Sequence, residues 1–363
     1  MRALVEINHY PEILEKMIDV THMRLKHRSK KAKSQLTQLA REFAFRIGLD
    51  YLEIKRLALR YMRFDLIICT NLPTILAAKF AKTMGYSGTI VFDDYGVWPW
   101  RGYLPWSPLA AFFPAWVRTN IASCRKYIDY VVTPSEFERK NAIERYGFNP
   151  DMVYKIPYTI RNFFSKPIHK TKLRGILGVK NSEFILTYVG RLNPIKGIDR
   201  LIRAFAAIKK EIPSRLIIVG RDQGFLKKII KLCKTLDVSD GVRYLGFIPY
   251  RKMPEVYAAS DVVIIPSLYE TFCSVALEAM ACGTPVVASN VGSLPEVVGE
   301  AGILCKPNPE SIAEAIKKLW FDKELLENLR WKGPKRARKL RLEAENALKS
   351  FLCKELCVKE ACS

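Results

Sequence analysis

From about Glu183 onward, short apolar runs alternate with stretches whose apolar residues recur at helical spacing. Strands that are apolar along their whole length and alternate with helices are typical of a parallel sheet covered on both faces. The pattern therefore predicts a doubly wound α/β domain. Its predicted strands are 184–189, 216–219, 242–245, 262–265 and 285–288, and its predicted helices are 198–210, 225–236 and 274–281.

The first half of the chain has a less regular pattern. Strands are predicted at 3–7, 66–69, 89–92 and 130–133, and helices at 75–84 and 136–146. The stretch from Asn8 to Arg63 has a helical pattern throughout, and residues 150–180, with Pro157 and Pro167, are typical of a linker. A second parallel sheet is expected here. The predicted parts are domain 1–165, domain 166–335, and 336–363 as a helix that returns to the first domain plus a tail.

Composition agrees with two soluble globular domains. The chain has 363 residues, of which 49% are hydrophobic and 26% charged, and no apolar run approaches the roughly 18 residues of a membrane span. Nine cysteines without a C-x-x-C pair predict reduced thiols in a cytoplasmic protein. The net charge of +23 favours an anionic partner: nucleic acid, an acidic membrane face or a phosphorylated substrate.

Two strand-to-loop junctions carry candidate chemistry, because ligands of open parallel sheets bind beyond the carboxyl ends of the strands. The first junction holds Arg191 and Lys196 between Gly190 and Gly197, just before a predicted helix. Backbone N–H groups, the helix dipole and two cations would converge there on a diphosphate. The alternative is a pair of solvated loop cations.

The second junction places Glu270 after a buried strand and Glu278 eight residues later in the next helix. Carboxylates accept hydrogen bonds from sugar or ribose hydroxyls, and free N–H groups near 272–274 suit phosphates. Structural coincidence is the alternative, but an unpaired carboxylate on a largely apolar helix is costly.

These motifs together resemble the retaining glycosyltransferases that include glycogen and sucrose synthases and many bacterial and archaeal mannosyltransferases. The resemblance rests on G-R-L-x-x-x-K-G at 190–197, Leu245-Gly246-Phe247-Ile248-Pro249, and Glu270-x7-Glu278 followed by A-M-A-C-G-T-P-V-V-A. It runs from about residue 185 to 329 in the family's order. It implies the GT-B fold, in which two Rossmann-like domains face a cleft, a nucleotide-sugar co-substrate, and no cofactor or metal.

The resemblance also implies roles for single residues. Arg191 and Lys196 would clamp the diphosphate of the donor, and Glu270 would hold its sugar hydroxyls; these three are the expected catalytic residues. The other expected donor-binding residues are Gly190, Gly220, Gly246, Phe247 and Ile248 (the last three beside the base), Phe272, Cys273, Ser274, Glu278 at the ribose, and Glu296.

The first half departs from the family. The first predicted strand is followed by no glycine-rich loop, so the start is either divergent or truncated. Asp93 and Asp94 stand where many relatives have a histidine; they are acceptor-side candidates, or else ordinary turn residues. His9, at a predicted strand end, is a third candidate, with a surface histidine as the alternative.

Basic and aromatic stretches suggest a membrane partner. Residues 21–63 contain twelve Lys and Arg against three Asp and Glu, residues 98–118 hold four of the six tryptophans, and residues 332–341 add basic charge. Such stretches suit an anionic bilayer and a lipid-linked acceptor. The alternative is tryptophans in the core and a solvated basic face. No nucleic acid is expected, because no recognition module is evident.

The resulting hypothesis is a metal-independent retaining glycosyltransferase in the cytoplasm or on the inner membrane face. It would move a hexosyl unit from GDP-mannose or a UDP-sugar to a lipid-linked or surface-glycan acceptor. The alternative is a catalytically impaired relative that binds nucleotide sugars. The sequence does not distinguish among sugars, nucleotides, acceptors or oligomeric states.

Overall fold

A computed structural model describes residues 2–5, 19–22, 51–94, 109–165, 174 and 182–357. The chain divides into two compact units. One comprises Met1–Tyr158 with Glu343–Ser363, and the other comprises Thr159–Leu342. The boundaries predicted from the sequence, after 165 and after 335, lie seven residues from these at each junction.

The first unit is built on a six-stranded parallel sheet with the order β2-β1-β3-β4-β5-β6. Buried side chains of the helices pack against this sheet, among them Ile54, Ile75 and Ile121. The strands are β1 (Arg2–Val5), β2 (Asp19–His22), β3 (Leu66–Cys69), β4 (Thr89–Asp93), β5 (Tyr130–Thr133) and β6 (Val153–Lys155), and the helices are α1 (Tyr51–Tyr61), α2 (Leu72–Thr83), α3 (Leu109–Cys124) and α4 (Glu136–Tyr146).

The prediction of helix throughout 8–63 is wrong at β2. Asp19–His22 pairs in parallel with β1, from Arg2 with Asp19 to Val5 with His22. The segment contains the β-branched residues Val20 and Thr21, which favour extended backbone. Its hydrogen bonds to a strand fourteen or more residues earlier are non-local, so a helical pattern within the segment does not reveal them.

The second unit is a six-stranded parallel sheet with the order β12-β11-β10-β7-β8-β9. The strands are β7 (Phe184–Val189), β8 (Ser214–Val219), β9 (Val242–Gly246), β10 (Val262–Ile265), β11 (Val286–Ser289) and β12 (Gly302–Cys305), and the helices are α5 (Ile198–Ile208), α6 (Leu226–Thr235), α7 (Met253–Ala259), α8 (Ser274–Ala281), α9 (Leu294–Val298) and α10 (Pro309–Phe321). The expected α/β class with two Rossmann-like parallel sheets is confirmed.

Strand order in this second sheet reverses between β7 and β10. The chain runs from β7 outward through β8 and β9, then returns to the other side of β7 with β10, β11 and β12. In open parallel sheets, ligands bind in the crevice beyond the carboxyl ends of the strands at such a point of reversal. The two junctions singled out in the sequence, at 190–197 and 266–270, are the loops at this point.

A long helix, α11 (Lys323–Lys354), ends the described chain and includes Pro334. Its residues to Leu342 belong to the second unit and those from Glu343 to the first. The sequence predicted that the returning helix lies within 336–363; the structure has one continuous helix that begins earlier, at Lys323. Within the first unit, the Phe351 ring lies 5.6 Å from that of Tyr130 and 5.0 Å from that of Tyr154, between ring centroids.

The sequence predictions about membrane spans and about cysteine thiols can be compared with the described residues. No helix in the described ranges has the length and apolar character needed to cross a membrane. Seven cysteines in those ranges have free thiols. Cys353 is disulfide-bonded, which departs from the expectation that every thiol is reduced.

Candidate functional site

The loop after β7 is a short 3-10 turn, Pro194–Lys196, capped by Asn193. The Asn193 side chain accepts a hydrogen bond from the Lys196 amide at 3.2 Å, and Pro194 at the first position presets the turn. Gly197 follows with φ of +65°. A Cβ atom on Gly197 would lie 1.9 Å from the Pro266 carbonyl oxygen, so glycine alone lets this loop approach the loop after β10.

The two loops are joined by backbone and side chain. The Leu268 amide donates to the Ile195 carbonyl at 2.8 Å. The Lys196 Nζ atom donates to Glu270 Oε1 at 2.6 Å, and the Ser267 hydroxyl donates to the same oxygen at 2.8 Å. The Lys196 and Glu270 side chains are only 14% and 8% exposed. Because a buried ion pair is a costly way to gain stability, the pair is better explained by binding chemistry.

A third loop, after β11, holds the backbone of Glu270. The Ser293 amide donates to the Glu270 carbonyl at 3.1 Å, and the Ser293 hydroxyl does so at 3.3 Å. Gly292 has φ of +56°, and a Cβ atom there would lie 2.1 Å from the same carbonyl oxygen. Glu270 is thus fixed from both sides, by the β7 loop at its carboxylate and by the β11 loop at its backbone.

Glu278 is buried in the middle of α8. The Tyr257 hydroxyl of α7 donates to Glu278 Oε2 at 2.6 Å. Burial raises the pKa of Glu278 to about 7, while hydrogen bonds from Tyr257 and Tyr250 act in the lowering direction. The carboxyl therefore has two tyrosine hydroxyls as partners, and its pKa lies near neutrality.

The four charged residues predicted from the sequence act on two neighbouring side chains, the buried Tyr188 and the half-buried Cys273. Burial raises the pKa of Tyr188 well above its usual value; the Glu270 charge adds to this and the Arg191 charge opposes it. Burial likewise raises the pKa of the Cys273 thiol, Glu270 and Glu278 add to it, and Lys196 opposes it. Tyr188 also donates its hydroxyl to the Arg191 carbonyl at 2.9 Å. Arg191 and Lys196 are therefore brought into the same neighbourhood as Glu270 and Glu278.

Helix α8 begins at this cluster. Cys273, its N-terminal cap, has φ of +74°, which is uncommon for a residue with a side chain and costs energy that the surrounding contacts must supply. Phe272 before it is buried, and Ser274 is the first helical residue. The first-turn N–H groups of a helix have no acceptor within the helix, and the dipole there is positive, so this end suits an anion.

The predicted donor-binding residues Gly220 and 246–248 lie at the ends of β8 and β9, the two strands on one side of β7. Gly220 has φ of +146°, and a Cβ atom there would lie 1.8 Å from the Gly190 carbonyl oxygen; its amide donates to Gly246 at 2.8 Å. Phe247 is 57% exposed, and the Arg221 guanidinium carbon lies 4.2 Å from its ring centroid. Ile248 is half-buried. An exposed aromatic–cation pair therefore stands at the edge of the crevice.

Glu296 lies in the first turn of α9 and is half-buried. Its backbone carbonyl accepts a hydrogen bond from the Arg336 guanidinium. The residues of this loop that contact Glu270 are Gly292 and Ser293, which the sequence did not single out. The predicted role of the Glu296 side chain stays a prediction.

The acceptor-side candidates belong to the first unit. Asp93 ends β4 and Asp94 follows it, and both are buried. The Asp94 amide donates to the Val132 carbonyl at 2.9 Å. Burial, with the Asp94 charge as a second cause, raises the pKa of Asp93 well above its usual range. His9 lies outside the described residues.

Parts of the basic and tryptophan-rich stretches of the first half lie outside the described residues. Trp98, Trp100 and Trp106 lie outside the described residues, as do 23–50 of the basic stretch; Trp116 is half-buried. Within the described part of the chain, no group of three or more His, Cys, Asp or Glu side chains has the geometry to hold a metal ion.

Three residues that complete the site were missed from the sequence: Ser267, Ser293 and Tyr257. Ser267 stands three residues before Glu270, and a local pattern of Ser preceding Glu was a usable signal. Ser293 and Tyr257 lie 23 and 21 residues from their carboxylate partners, so their contacts arise only from the fold.

Part of the chain that contains this site matches a known protein family. Residues 169–336 match the family model described as glycosyl transferases group 1. An uncharacterized glycosyltransferase of Methanocaldococcus jannaschii is 41% identical over 157 residues, which are 42% of this chain and 40% of that protein. The match thus spans less than half of that relative's length.

Solved structures match over nearly the whole chain. Sucrose-phosphate synthase of Thermosynechococcus elongatus has a TM-score of 0.78 at 22% identity, over 98% of both chains. Anabaena HepE, solved in complex with UDP-glucose, has a TM-score of 0.72 at 21% identity, over 96% of this chain and all of that one. At these identities the likeness shows the fold. The similarity to the group 1 glycosyl transferases is that of residues 169–336, which the family model matches.

Proposed function

We propose that this chain transfers a hexosyl unit from a nucleotide sugar to a lipid-linked or surface-glycan acceptor, and that it retains the anomeric configuration. One observation carries the proposal: the buried Lys196–Glu270 pair at the crevice where the strand order reverses. Arg191 and Lys196 would hold the diphosphate, Glu270 the sugar hydroxyls and Glu278 the ribose. Since HepE is solved with UDP-glucose, UDP-sugars are the first donors to test.

Lys196 is suited to a double role. An ammonium group has three N–H donors, so one Lys side chain can bond to both a carboxylate and a phosphate oxygen. Glu270 Oε1 accepts bonds from Lys196 and Ser267. Its other oxygen, Oε2, would accept from a sugar hydroxyl. The same pair would thereby connect the two ends of the bond that breaks.

In the proposed reaction, the bond between the anomeric carbon and the diphosphate oxygen breaks, and the acceptor oxygen bonds to the same carbon on the same face. The acceptor hydroxyl gives its proton to the leaving diphosphate, so no protein nucleophile takes part. Negative charge grows on the diphosphate as its bond breaks. Lys196, Arg191 and the N-terminus of α8 would stabilise that charge, which is the role a metal ion has elsewhere.

A ligand screen tests the donor assignment directly. The purified chain is heated with UDP-, GDP- and ADP-sugars, and a rise in melting temperature with one nucleotide identifies the donor class. Release of labelled nucleotide in the presence of a membrane extract then tests turnover. A chain that no nucleotide sugar stabilises would contradict the proposal.

Arg191→Ala is expected to weaken nucleotide-sugar binding by about 1.5–3 kcal/mol, because a charge-assisted bond to phosphate is lost. This corresponds to a Kd higher by about 10- to 150-fold. Calorimetric titration of both proteins measures it. Arg203→Ala is the matched control, since Arg203 is an exposed arginine on α5 outside the crevice loops. Equal Kd values for the Arg191→Ala and Arg203→Ala proteins would remove Arg191 from the site.

Donor affinity is expected to fall as the pH drops through about 7, because Glu278 titrates there and its ionised form accepts ribose hydroxyl bonds. Tyr257→Phe removes a bond that favours the ionised form, so the midpoint should move to higher pH. Kd measured against pH in both proteins tests this, and an unchanged midpoint would argue against the contact.

The same group has a defined effect on stability. Its pKa is raised from 4.5 in the unfolded chain to about 7 in the folded one, so the folded chain binds more protons between these values. The free energy of unfolding should therefore fall as pH rises through that window. Glu278→Gln should remove this part of the pH dependence, as measured by denaturant unfolding.

A binder without turnover is the second candidate. The observation that favours it is the buried pair Asp93 and Asp94 at the end of β4, where the family commonly has a histidine. Stabilisation by a nucleotide sugar with neither transfer nor hydrolysis across an acceptor panel would support this candidate over the first.

We infer that the acceptor lies at an anionic membrane on the cytoplasmic side. The support is electrostatic: a net charge of +23 draws the chain toward acidic surfaces. The absence of a metal or other cofactor from the reaction is part of the proposal, and full activity in the presence of EDTA is its test.

A further inference from the structure

The outward face of α11 carries charge and apolar surface that the proposed donor chemistry does not use. Residues 331–342 contain six Lys and Arg and no Asp or Glu. Five of the residues form what is called here the basic stripe, and all are exposed: Trp331, Lys335, Arg338, Lys339 and Leu342. At 100° per residue they fall within about 100° of the helix circumference, so they share one face.

The opposite face fixes the orientation of this stripe. Leu329, Gly333 and Leu340 are buried, and a Cβ atom on Gly333 would lie 3.0 Å from the Met280 carbonyl oxygen of α8. The Arg336 Nε atom donates to the Val297 carbonyl of α9 at 3.2 Å. The helix is therefore held closely against α8, which carries Glu278, and the basic stripe points away from it.

Its chemistry suits the interface of a bilayer. Trp331 is 61% exposed and Leu342 49%, eleven residues apart, and the three cations of the stripe lie between them. The Lys335 Nζ atom lies 3.0 Å from the Trp331 ring centroid, so a cation and an indole form one unit. Three features bind a protein to anionic lipid surfaces: an indole ring that sits at the depth of the headgroups, the aliphatic part of Lys side chains, and clustered positive charge.

Nucleic acid is the other large polyanion that a basic surface of this kind could bind. Binding of single strands uses successive aromatic side chains on which bases stack, and the basic stripe has one aromatic residue. A protein that recognises duplex DNA inserts a helix into a groove. Helix α11 instead packs along α8 and exposes only one face. The observations favour a flat, anionic, partly apolar surface.

We propose that the basic stripe docks the second unit on an anionic phospholipid bilayer. This inference rests on the proposed membrane acceptor and deepens it, because it assigns the contact to a helix that packs directly against α8. The sequence expectation rested chiefly on basic and tryptophan-rich stretches of the first half, to which residues 332–341 add basic charge.

Vesicle binding of the full chain tests the proposal without donor or acceptor. We expect binding to phosphatidylcholine vesicles that contain phosphatidylglycerol and little binding to phosphatidylcholine alone. The triple variant Lys335→Gln/Arg338→Gln/Lys339→Gln should lower affinity on the order of 100-fold, since each cation near the surface contributes to binding. The matched control, Lys227→Gln/Lys231→Gln/Lys234→Gln on α6, removes the same charge from exposed lysines of the same unit and should change affinity far less.

A second measurement locates the contact. Brominated lipids quench tryptophans that enter the bilayer, and Trp331→Phe should remove most of that quenching. Absent vesicle binding, equal losses in the two triple variants, or quenching unchanged by Trp331→Phe would each overturn the proposal, as would RNA binding that only the stripe variant loses. Thermal stabilisation of the stripe variant by the nucleotide sugar should equal that of the wild type. Failure of the docking proposal is thereby distinguished from failure of the donor assignment.

Discussion

Lys196→Ala is expected to lower the rate of glycosyl transfer by at least about 10²- to 10³-fold, the effect of removing one preorganised charge that faces developing negative charge. Lys196 is nearly buried and bonded to Glu270, so its ammonium group is fixed before substrate arrives. Water cannot replace it at that position without losing this preorganisation. The measurement is turnover of labelled nucleotide sugar at saturating donor.

Stability must be measured beside activity, because the single change leaves the Glu270 carboxylate buried with Ser267 as a remaining partner. The double variant Lys196→Ala/Glu270→Ala leaves no unpaired charge and should also be inactive while folded. Lys317→Ala is a matched control, since it breaks an ion pair with Glu211 at the surface and should retain wild-type turnover. Wild-type rates from the double variant would refute the site.

Gly197→Ala is expected to lower the free energy of unfolding by at least about 2 kcal/mol and to abolish donor binding. Two costs combine at this position. An alanine with φ of +65° is strained, and its Cβ atom would overlap the Pro266 carbonyl oxygen. Relief of that overlap must separate the β7 loop from the β10 loop, which pulls Lys196 away from Glu270. Urea unfolding and the nucleotide-sugar thermal shift measure the two effects.

The chain offers a control for the backbone cost alone. Gly224 has φ of +87°, and a Cβ atom there meets no heavy atom within 4 Å. Gly224→Ala should therefore cost about 1 kcal/mol from strain and leave donor binding intact. If the two alanine variants behave alike, the close approach of the loops does not maintain the site, and the structural basis of the Lys196–Glu270 pair would need another explanation.

Some residues of the candidate site were predicted from the sequence, and others were not. Arg191, Lys196, Glu270 and Glu278 were found because each stands just after a predicted strand or inside the helix that follows. Tyr257 and Ser293 were missed because each stands more than twenty residues from the carboxylate it contacts. β2 was missed for the same reason, since its hydrogen bonds go to β1. A local sequence pattern indicates only contacts between residues that are close together in the chain.

The sequence by itself determined the α/β class of both halves, the two junctions that carry the charges, and five strands and three helices of the second unit to within a few residues. It did not predict β12, α7, α9 or α10. Periodicity and strand-end chemistry are local, and a parallel sheet places all carboxyl ends at one edge. Tertiary structure alone decided that β7 and β10 are neighbours, that Gly197 and Gly292 let three loops meet at Glu270, and that burial moves the pKa of Glu278 to about 7. Those outcomes depend on which segments pack together and how much water they exclude, which no stretch of the chain encodes in isolation.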